Sequence, residues 1–168
     1  TTREVPVVGE VYEALLAAVP PQGDATIVHG DYRLDNCLVS GDGDVVAVLD
    51  WEICTLGDPL ADIGLLLVYW GDPDDPTSAQ LPSPTMAPGF PTPPEVLARY
   101  GEASGRDLGP IDVYVAFGYW KLACIIEGVY SRYTGGAMGT RDASGFEYFG
   151  QLVLALGDRA RTTLDRLG

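Results

Sequence analysis

The chain has 168 residues, of which 46% are hydrophobic and 20% are charged, and its formal net charge is −14. This composition is sufficient for the core of one domain, predicted to span residues 1–168. Lysine and arginine together number only 10, too few for the clustered basic surface that nucleic-acid binding needs, so no nucleic-acid partner is expected. No apolar run is long enough for a membrane span, and we expect a cytoplasmic protein with no membrane partner.

The first part of the sequence predicts one helix and three short strands. Apolar residues recur at helical spacing over residues 5–19, and Pro20-Pro21 end this helix. Strands are predicted at 26–28, 37–39 and 45–49, and the turn sequence SGDGD joins the last two. The expected β structure is a small hairpin, with the polar sequence HGDYRLDN at 29–36 beside it.

The remainder of the chain is predicted to be helical, with one long interruption. Asp58-Pro59 is typical of a helix start, and the nearly all-apolar residues 60–69 predict a buried helix. The proline-rich segment 71–94 predicts a loop or a mobile lid and not a packed element. Further helices are predicted at 95–100, 111–133 and 144–167, with a glycine-rich break at 134–139. The fold class is therefore α+β and mainly α.

Three side chains with oxygen donors are predicted to converge at one end of the β structure. Asp31 and Asn36 lie within HGDYRLDN, and Asp50 follows the strand that closes the hairpin. Carboxylate and amide oxygens are ligands that suit Mg²⁺, which also retains water and shares substrate phosphates. The five-residue step from Asp31 to Asn36, followed by a strand-end Asp, also matches the protein-kinase catalytic template. The alternative is an Asx-rich turn with no catalytic part.

Three linked motifs, HGDYRLDN, VLDWE at 48–52 and LGDPLADIG at 56–64, resemble those of the aminoglycoside phosphotransferase-like kinases in order and spacing. The amino-acid sequences of these motifs are most similar to those of the kinase-like domains associated with acyl-CoA dehydrogenases and of bacterial phosphotransferase-like proteins. The resemblance implies the C-terminal lobe of a protein-kinase-like fold, a helical bundle whose small β-hairpin carries the catalytic loop. It also implies ATP-dependent, Mg²⁺-requiring transfer of the γ-phosphoryl group to a hydroxyl of a small molecule.

The same resemblance implies roles for the central residues. Asp31 corresponds to the catalytic carboxylate that orients the acceptor hydroxyl or accepts its proton. Asn36 and Asp50 correspond to the ligands of the Mg²⁺ that bridges the ATP phosphates, and so to the cofactor-binding residues. His29 is expected to support the loop by hydrogen bonding and not to transfer protons.

Other charged residues have two interpretations each. Arg33 either contacts the γ-phosphoryl group as a catalytic residue or is a surface arginine paired with Asp35 or Glu52. Asp58 is expected to cap a helix, and Asp62 to complement the helix dipole; by resemblance Asp62 also holds the catalytic-loop backbone, so both support the site. Glu52 either contacts metal or substrate, or merely ends the strand.

Parts of a complete ATP site are missing from the sequence. There is no glycine-rich strand-turn-strand, and the sole lysine, Lys121, lies in a late predicted helix. We therefore expect the chain to be the C-terminal lobe of a longer kinase, to need the N-terminal nucleotide-binding lobe of the same protein as its partner, and to turn over ATP poorly alone. The alternative function is a non-catalytic, pseudokinase-like binding module.

The acceptor is left open between an aminoglycoside, a hydroxyacyl compound, a choline-like compound and another alcohol. The resemblance to the acyl-CoA-dehydrogenase-associated group favours an acceptor other than an antibiotic. Tyr119, Trp120, Glu127 and Tyr130, on an aromatic-rich helix, either line the acceptor pocket or belong to the core.

Overall fold

A computed structural model of the protein describes residues 3–21, 23–72, 78, 81–135 and 146–167. The chain divides into two compact units, residues 20–115 and residues 1–19 with 116–168. The helices are α1 (Pro6–Ala18), α2 (Leu60–Tyr69), α3 (Pro93–Ser104), α4 (Ile111–Thr134) and α5 (Glu147–Leu164). The strands are β1 (Thr26–Val28), β2 (Cys37–Val39), β3 (Val45–Val48) and β4 (Thr55–Gly57). The mainly helical class is as predicted, whereas the single domain over 1–168 stays a prediction.

The β structure consists of two antiparallel pairs within residues 20–115. Strands β2 and β3 form the predicted hairpin, with Cys37 opposite Val48, and its turn is closed by a 2.8 Å hydrogen bond from the Ser40 amide to the Asp44 carbonyl. Strand β1 pairs instead with β4, in a register that places Val28 opposite Thr55. Strand β4 is not predicted, because Thr55-Leu56-Gly57 lacks the apolar and β-branched run that marks the other short strands. The expectation of one hairpin is therefore corrected to two pairs.

Helix α2 forms the centre of the 20–115 unit. Six consecutive residues from Ile63 to Val68 are buried, as expected for a helix that is apolar on nearly all sides. A Cβ added at Gly64 would lie 2.5 Å from the backbone carbonyl of Tyr114. Only a glycine therefore permits α2 to approach the first turn of α4 so closely.

Before α3 the proline-rich segment is a loop, as predicted, but contrary to the prediction the described residues include a packed part. The Gly71 amide donates a 2.8 Å hydrogen bond to Oγ1 of Thr85, whose side chain is 4% exposed. The Trp70 indole donates to the Pro91 carbonyl at 2.8 Å. Helix α3 then begins two residues earlier than predicted, with a capping box between Thr92 and Glu95. Residues 73–77, 79 and 80 lie outside the described residues.

The second unit packs α1, α5 and the part of α4 from Ala116 onward. Gly157 of α5 lies against Val7 of α1, where a Cβ would come within 2.7 Å of a valine methyl group. Its buried apolar residues are Val11, Leu15, Ala116, Tyr119, Leu122, Ala123, Leu152, Val153, Leu156 and Ala160. None of the described helices combines the length and the apolarity needed to cross a membrane.

The four aromatic-helix residues considered for the acceptor pocket make core contacts in this unit. Tyr119 is buried, and Trp120 donates a 2.9 Å hydrogen bond to the Val8 carbonyl. Glu127 is 4% exposed and accepts a 2.8 Å hydrogen bond from Arg3, whose guanidinium lies over the Tyr130 ring. These contacts favour the interpretation of the four residues as core. The glycine-rich break from residue 136 and the predicted start of the last helix at 144 fall outside the described residues.

Candidate functional site

The segment after β1 is a tight loop whose backbone is held by Asp62. Gly30 has φ 86°, and a Cβ there would lie 3.0 Å from the Ile53 carbonyl oxygen, so glycine suits both the conformation and the space. The Asp62 carboxylate accepts a 2.6 Å hydrogen bond from the His29 amide and a 2.8 Å hydrogen bond from the Gly30 amide. The first turn of α2 thereby fixes the start of HGDYRLDN.

His29 is almost fully buried, at 2% exposure, and connects the loop to the end of β3. Its Nε2 lies 2.7 Å from the Leu49 carbonyl, and its Nδ1 accepts a 3.2 Å hydrogen bond from the Asp31 amide. With Nδ1 as the acceptor, Nε2 is the nitrogen that donates to the Leu49 carbonyl. The ring packs 4.6 Å from that of Trp51. Both ring nitrogens are engaged with the backbone, so the position is that of a scaffold residue.

Asp31 and Asn36 are in direct contact. The Asn36 amide group, buried at 8% exposure, donates to the Asp31 carbonyl at 2.8 Å and to Asp31 Oδ2 at 3.1 Å. Because Nδ2 makes both bonds, Oδ1 of Asn36 is left to face a cation. The Leu49 amide donates to the Asn36 carbonyl at 2.8 Å, which brings the next residue, Asp50, to the same end of the hairpin.

Asp50 has a left-handed backbone, with φ 66° and ψ 51°, and it alone among the described non-glycine residues has a positive φ. Such a conformation costs energy and is concentrated at functional sites. The part of the chain that the structure describes contains no group of three or more His, Cys, Asp or Glu side chains suited to a metal ion. One carboxylate and one amide oxygen nevertheless fit Mg²⁺, which takes few protein ligands when phosphates and water complete its shell.

Arg33 contacts acidic side chains on its own loop. Its Nη1 donates a 3.1 Å hydrogen bond to Asp35, and its Nε lies 3.4 Å from Asp31 Oδ2. The Nε atom is buried and makes no hydrogen bond within the described residues. Of the two surface partners considered for Arg33, Asp35 is the one it contacts. Glu52 is exposed and lies in the short 3₁₀ turn Trp51–Ile53.

Asp58 makes the expected helix-start contact and one contact that sequence reasoning missed. Its Oδ1 accepts a 2.9 Å hydrogen bond from the Leu60 amide, as a capping residue does. Its Oδ2 accepts a 2.8 Å hydrogen bond from the Tyr114 hydroxyl, 56 residues away. Burial and, next, this hydrogen bond raise the pKa of Tyr114. No local pattern marks Tyr114, because the contact exists only in the folded chain.

Two of the cavities lined by described residues of the 20–115 unit bear on the position of the site. One of about 40 Å³ is lined by residues that include Arg33, Tyr69, Trp70 and Thr85, and its size suits water and not a substrate. A larger cavity, of about 490 Å³, lies near Asp24, Asp58 and Arg106. Asp31, Asn36 and Asp50 are not among the residues that line this larger cavity. The candidate site is therefore identified by the chemistry of its side chains and not by the size of a cavity.

Comparison with known proteins links this arrangement to phosphotransferases. Residues 2–114 match the phosphotransferase enzyme family, a stretch that contains HGDYRLDN, Asp50 and Asp62. The mouse acyl-CoA dehydrogenase family member 10 is 36% identical over 137 residues, which are 78% of this chain and 13% of that protein. The human acyl-CoA dehydrogenase family member 11 is 30% identical over 145 residues, 84% of this chain and 19% of that protein. The chain thus spans less than a quarter of these relatives.

A solved structure shares the fold. The crystal structure of a Ralstonia eutropha protein assigned as an aminoglycoside phosphotransferase superposes with a TM-score of 0.74 at 26% identity. The match covers 96% of this chain and 50% of that one. The predicted fold, a mainly helical kinase-like C-terminal lobe with a small β component, is confirmed, and so is the family resemblance that the three motifs indicate.

Proposed function

Because the chain belongs to the phosphotransferase enzyme family, we propose that it forms the catalytic and acceptor-binding lobe of an ATP-dependent, Mg²⁺-requiring kinase for a small-molecule hydroxyl. The observation that carries this proposal is the pair of hydrogen bonds from Asn36 to Asp31. They hold one carboxylate oxygen of Asp31 and leave Asn36 Oδ1 beside it. Phosphoryl transfer to an alcohol uses a residue that orients the hydroxyl or accepts its proton and a metal ion that neutralises phosphate charge, and this pair would supply the first and one ligand of the second.

The proposed reaction assigns a separate task to each side chain. The acceptor oxygen forms a bond to the γ-phosphorus while the bond from that phosphorus to the ADP oxygen breaks, and the hydroxyl proton passes to Asp31. Mg²⁺, when bound, neutralises charge on the phosphate oxygens. Asn36 Oδ1 and the Asp50 carboxylate would hold it. His29 and Asp62 keep the loop in place through their bonds to Leu49 and to the loop backbone.

Arg33 is proposed to contact the transferred phosphoryl group. Its pair with Asp35 is weak, because the Asp35 side chain is 66% exposed and water screens such pairs. Its buried Nε, which makes no hydrogen bond in the described part of the chain, is a donor that a phosphate oxygen would satisfy. The guanidinium therefore has a donor to offer without losing a strong existing bond.

A nucleotide-binding lobe of the same protein is proposed to complete the ATP site. The sequence contains no glycine-rich strand-turn-strand to cover the phosphates, and the chain aligns with half of the solved neighbour. For the acceptor we propose a hydroxylated acyl compound, since the relatives at 30–36% identity are named as acyl-CoA dehydrogenase family members. Aminoglycosides are the comparison class, because the solved neighbour is assigned to them.

The test is an acceptor screen with the full-length protein, ATP and Mg²⁺. ADP release and phosphorylated product are measured with hydroxyacyl compounds, aminoglycosides, macrolides and choline. Asp31→Asn should lower kcat by about 10²- to 10⁴-fold, the usual contribution of a positioned base. The matched control is Asp42→Asn, in the exposed hairpin turn, which should leave kcat unchanged.

Two outcomes would contradict the proposal. One is wild-type turnover in Asp31→Asn. The other is nucleotide or small-molecule binding without product from any alcohol, which would support the non-catalytic binding module instead.

A further inference from the structure

The last residue of α2, Tyr69, lies against the guanidinium of Arg33. The guanidinium carbon is 5.1 Å from the centre of the Tyr69 ring, within the range in which an aromatic face attracts a cation. Tyr69 is half-buried, and it follows directly on the buried run that ends at Val68. Helix α2 therefore offers an aromatic platform to the catalytic loop at its C-terminal end, in addition to Asp62 in its first turn.

Arg33 in turn lies beside the reacting carboxylate. Oδ2 of Asp31 is 3.4 Å from Arg33 Nε and accepts a 3.1 Å hydrogen bond from Asn36 Nδ2. Asn36 thus hydrogen-bonds this oxygen, and the Arg33 guanidinium lies beside it as an ion-pair partner without a hydrogen bond from Nε. Asp31 Oδ1 has no hydrogen bond from the described residues. An acceptor hydroxyl can be oriented at Oδ1 only if the carboxylate does not rotate.

Tyr69 is a less mobile partner for Arg33 than Asp35 is, because its ring is half-buried. The Asp35 side chain is 66% exposed, and an exposed ion pair contributes little to placing a long side chain. A half-buried ring is fixed by the packing of its helix and leaves the charge of the guanidinium intact. Burial raises the pKa of Tyr69, while Arg33 lowers it and Asp31 and Asp35 raise it. The charges of Arg33, Asp31 and Asp35 therefore all act on the Tyr69 hydroxyl.

We propose that Tyr69 is a positioning residue for phosphoryl transfer: its ring holds Arg33, and Arg33 together with Asn36 holds the Asp31 carboxylate. The inference rests on the proposed function and adds a residue that none of the three motifs contains. It predicts that the aromatic ring matters and that the hydroxyl does not. A tyrosine that only packs the core would affect stability and leave the turnover of the folded protein unchanged.

The kinetic test compares Tyr69→Phe with Tyr69→Leu and Tyr69→Met in the full-length protein. Phe keeps the ring and should retain kcat within about 2-fold, whereas Leu and Met should lower kcat by about 10- to 100-fold, as expected from a misplaced catalytic group. The KM for ATP should stay within about 3-fold, because Tyr69 reaches ATP only through Arg33 and contacts neither of the proposed Mg²⁺ ligands, Asn36 and Asp50. The matched control is Tyr12→Leu, which removes an exposed aromatic from α1.

A double substitution tests whether Tyr69 acts through Arg33. Arg33→Ala with Tyr69→Leu should be no slower than Arg33→Ala alone, since residues that act as one unit are not additive. Losses that multiply would overturn the inference. So would a kcat for folded Tyr69→Leu or Tyr69→Met equal to that of wild type.

An NMR measurement separates this inference from the proposed function. The Nε–H signal of Arg33, assigned by its loss in Arg33→Lys, should be shifted by the ring current of Tyr69. The shift should persist in Tyr69→Phe and disappear in Tyr69→Leu and in Tyr69→Met. An unchanged signal in folded Tyr69→Leu would refute the positioning role even if the protein is a kinase. Absence of phosphoryl transfer in wild type with the signal shifted would refute only the kinase.

Discussion

The carboxylate of Asp62 accepts a 2.6 Å hydrogen bond from the backbone amide of His29, a residue 33 positions earlier in the chain. Its other oxygen accepts from Gly30 at 2.8 Å. Asp62→Ala would leave two partly buried N–H groups without an acceptor, and should lower the free energy of unfolding by about 3 kcal/mol. Urea denaturation measures the change. Asp42→Ala, in the exposed turn, should stay within about 0.5 kcal/mol of wild type, and equal effects of the two substitutions would rule out this support.

Gly64 and Gly9 are both helical glycines, and they should respond to alanine in opposite directions. A Cβ at Gly64 would meet the Tyr114 backbone carbonyl at 2.5 Å, which no side-chain rotation relieves, whereas at Gly9 nothing lies within 4 Å. Gly64→Ala should destabilise by about 1–3 kcal/mol through overpacking. Gly9→Ala should stabilise α1 by about 0.5–1 kcal/mol. Thermal denaturation monitored by circular dichroism checks both, and a stabilising Gly64→Ala would contradict the close helix approach.

Tyr114 should make stability depend on alkaline pH. Burial and the hydrogen bond to Asp58 raise the pKa of its hydroxyl above the ordinary value of 10.0. A raised folded-state pKa means that this stabilisation is complete below about pH 10 and is lost as the pH rises from there towards the folded-state pKa. Tyr114→Phe should cost about 1–2 kcal/mol near neutral pH and flatten the decline above pH 10. Unfolding free energies measured from pH 7 to 11 test this, and an equally steep decline in both proteins would refute it.

The proposed metal ligands should be distinguishable from the proposed base by their response to Mg²⁺. A chelator should abolish turnover of the full-length protein, and added Mg²⁺ should restore it. Asp50→Asn should raise the Mg²⁺ concentration for half-maximal rate by about 10-fold or more, with recovery at high Mg²⁺. Asp31→Asn should not recover, because the metal cannot replace a proton acceptor. An unchanged Mg²⁺ requirement in Asp50→Asn would remove that residue from the metal site.

Local sequence patterns predicted the contacts of the candidate site that join residues close together in the chain. Asp31 and Asn36 are five residues apart, and their contact follows from one short loop. The β1–β4 pair was not predicted because Thr55–Gly57 contains a glycine and no run of apolar or β-branched residues. The packed part of the proline-rich loop was not predicted, because composition carries no information about tertiary hydrogen bonds such as that from Gly71 to Thr85.

The other features of the site that the sequence did not predict are contacts between residues far apart in the chain. Tyr114 meets Asp58 and Tyr69 meets Arg33 only after the chain has folded. Neither tyrosine stands out by spacing or by neighbours in the sequence, because aromatic residues in apolar helices are common core residues.

The backbone of Asp50 implies a conflict between stability and chemistry at that position. A left-handed conformation costs a non-glycine residue about 1–3 kcal/mol, and glycine adopts it without this penalty. Asp50→Gly should therefore give a protein that is at least as resistant to denaturation as wild type while it lacks the carboxylate proposed to bind Mg²⁺. The same substitution would thus remove backbone strain and the proposed metal ligand together, so stability and metal binding oppose each other at this position.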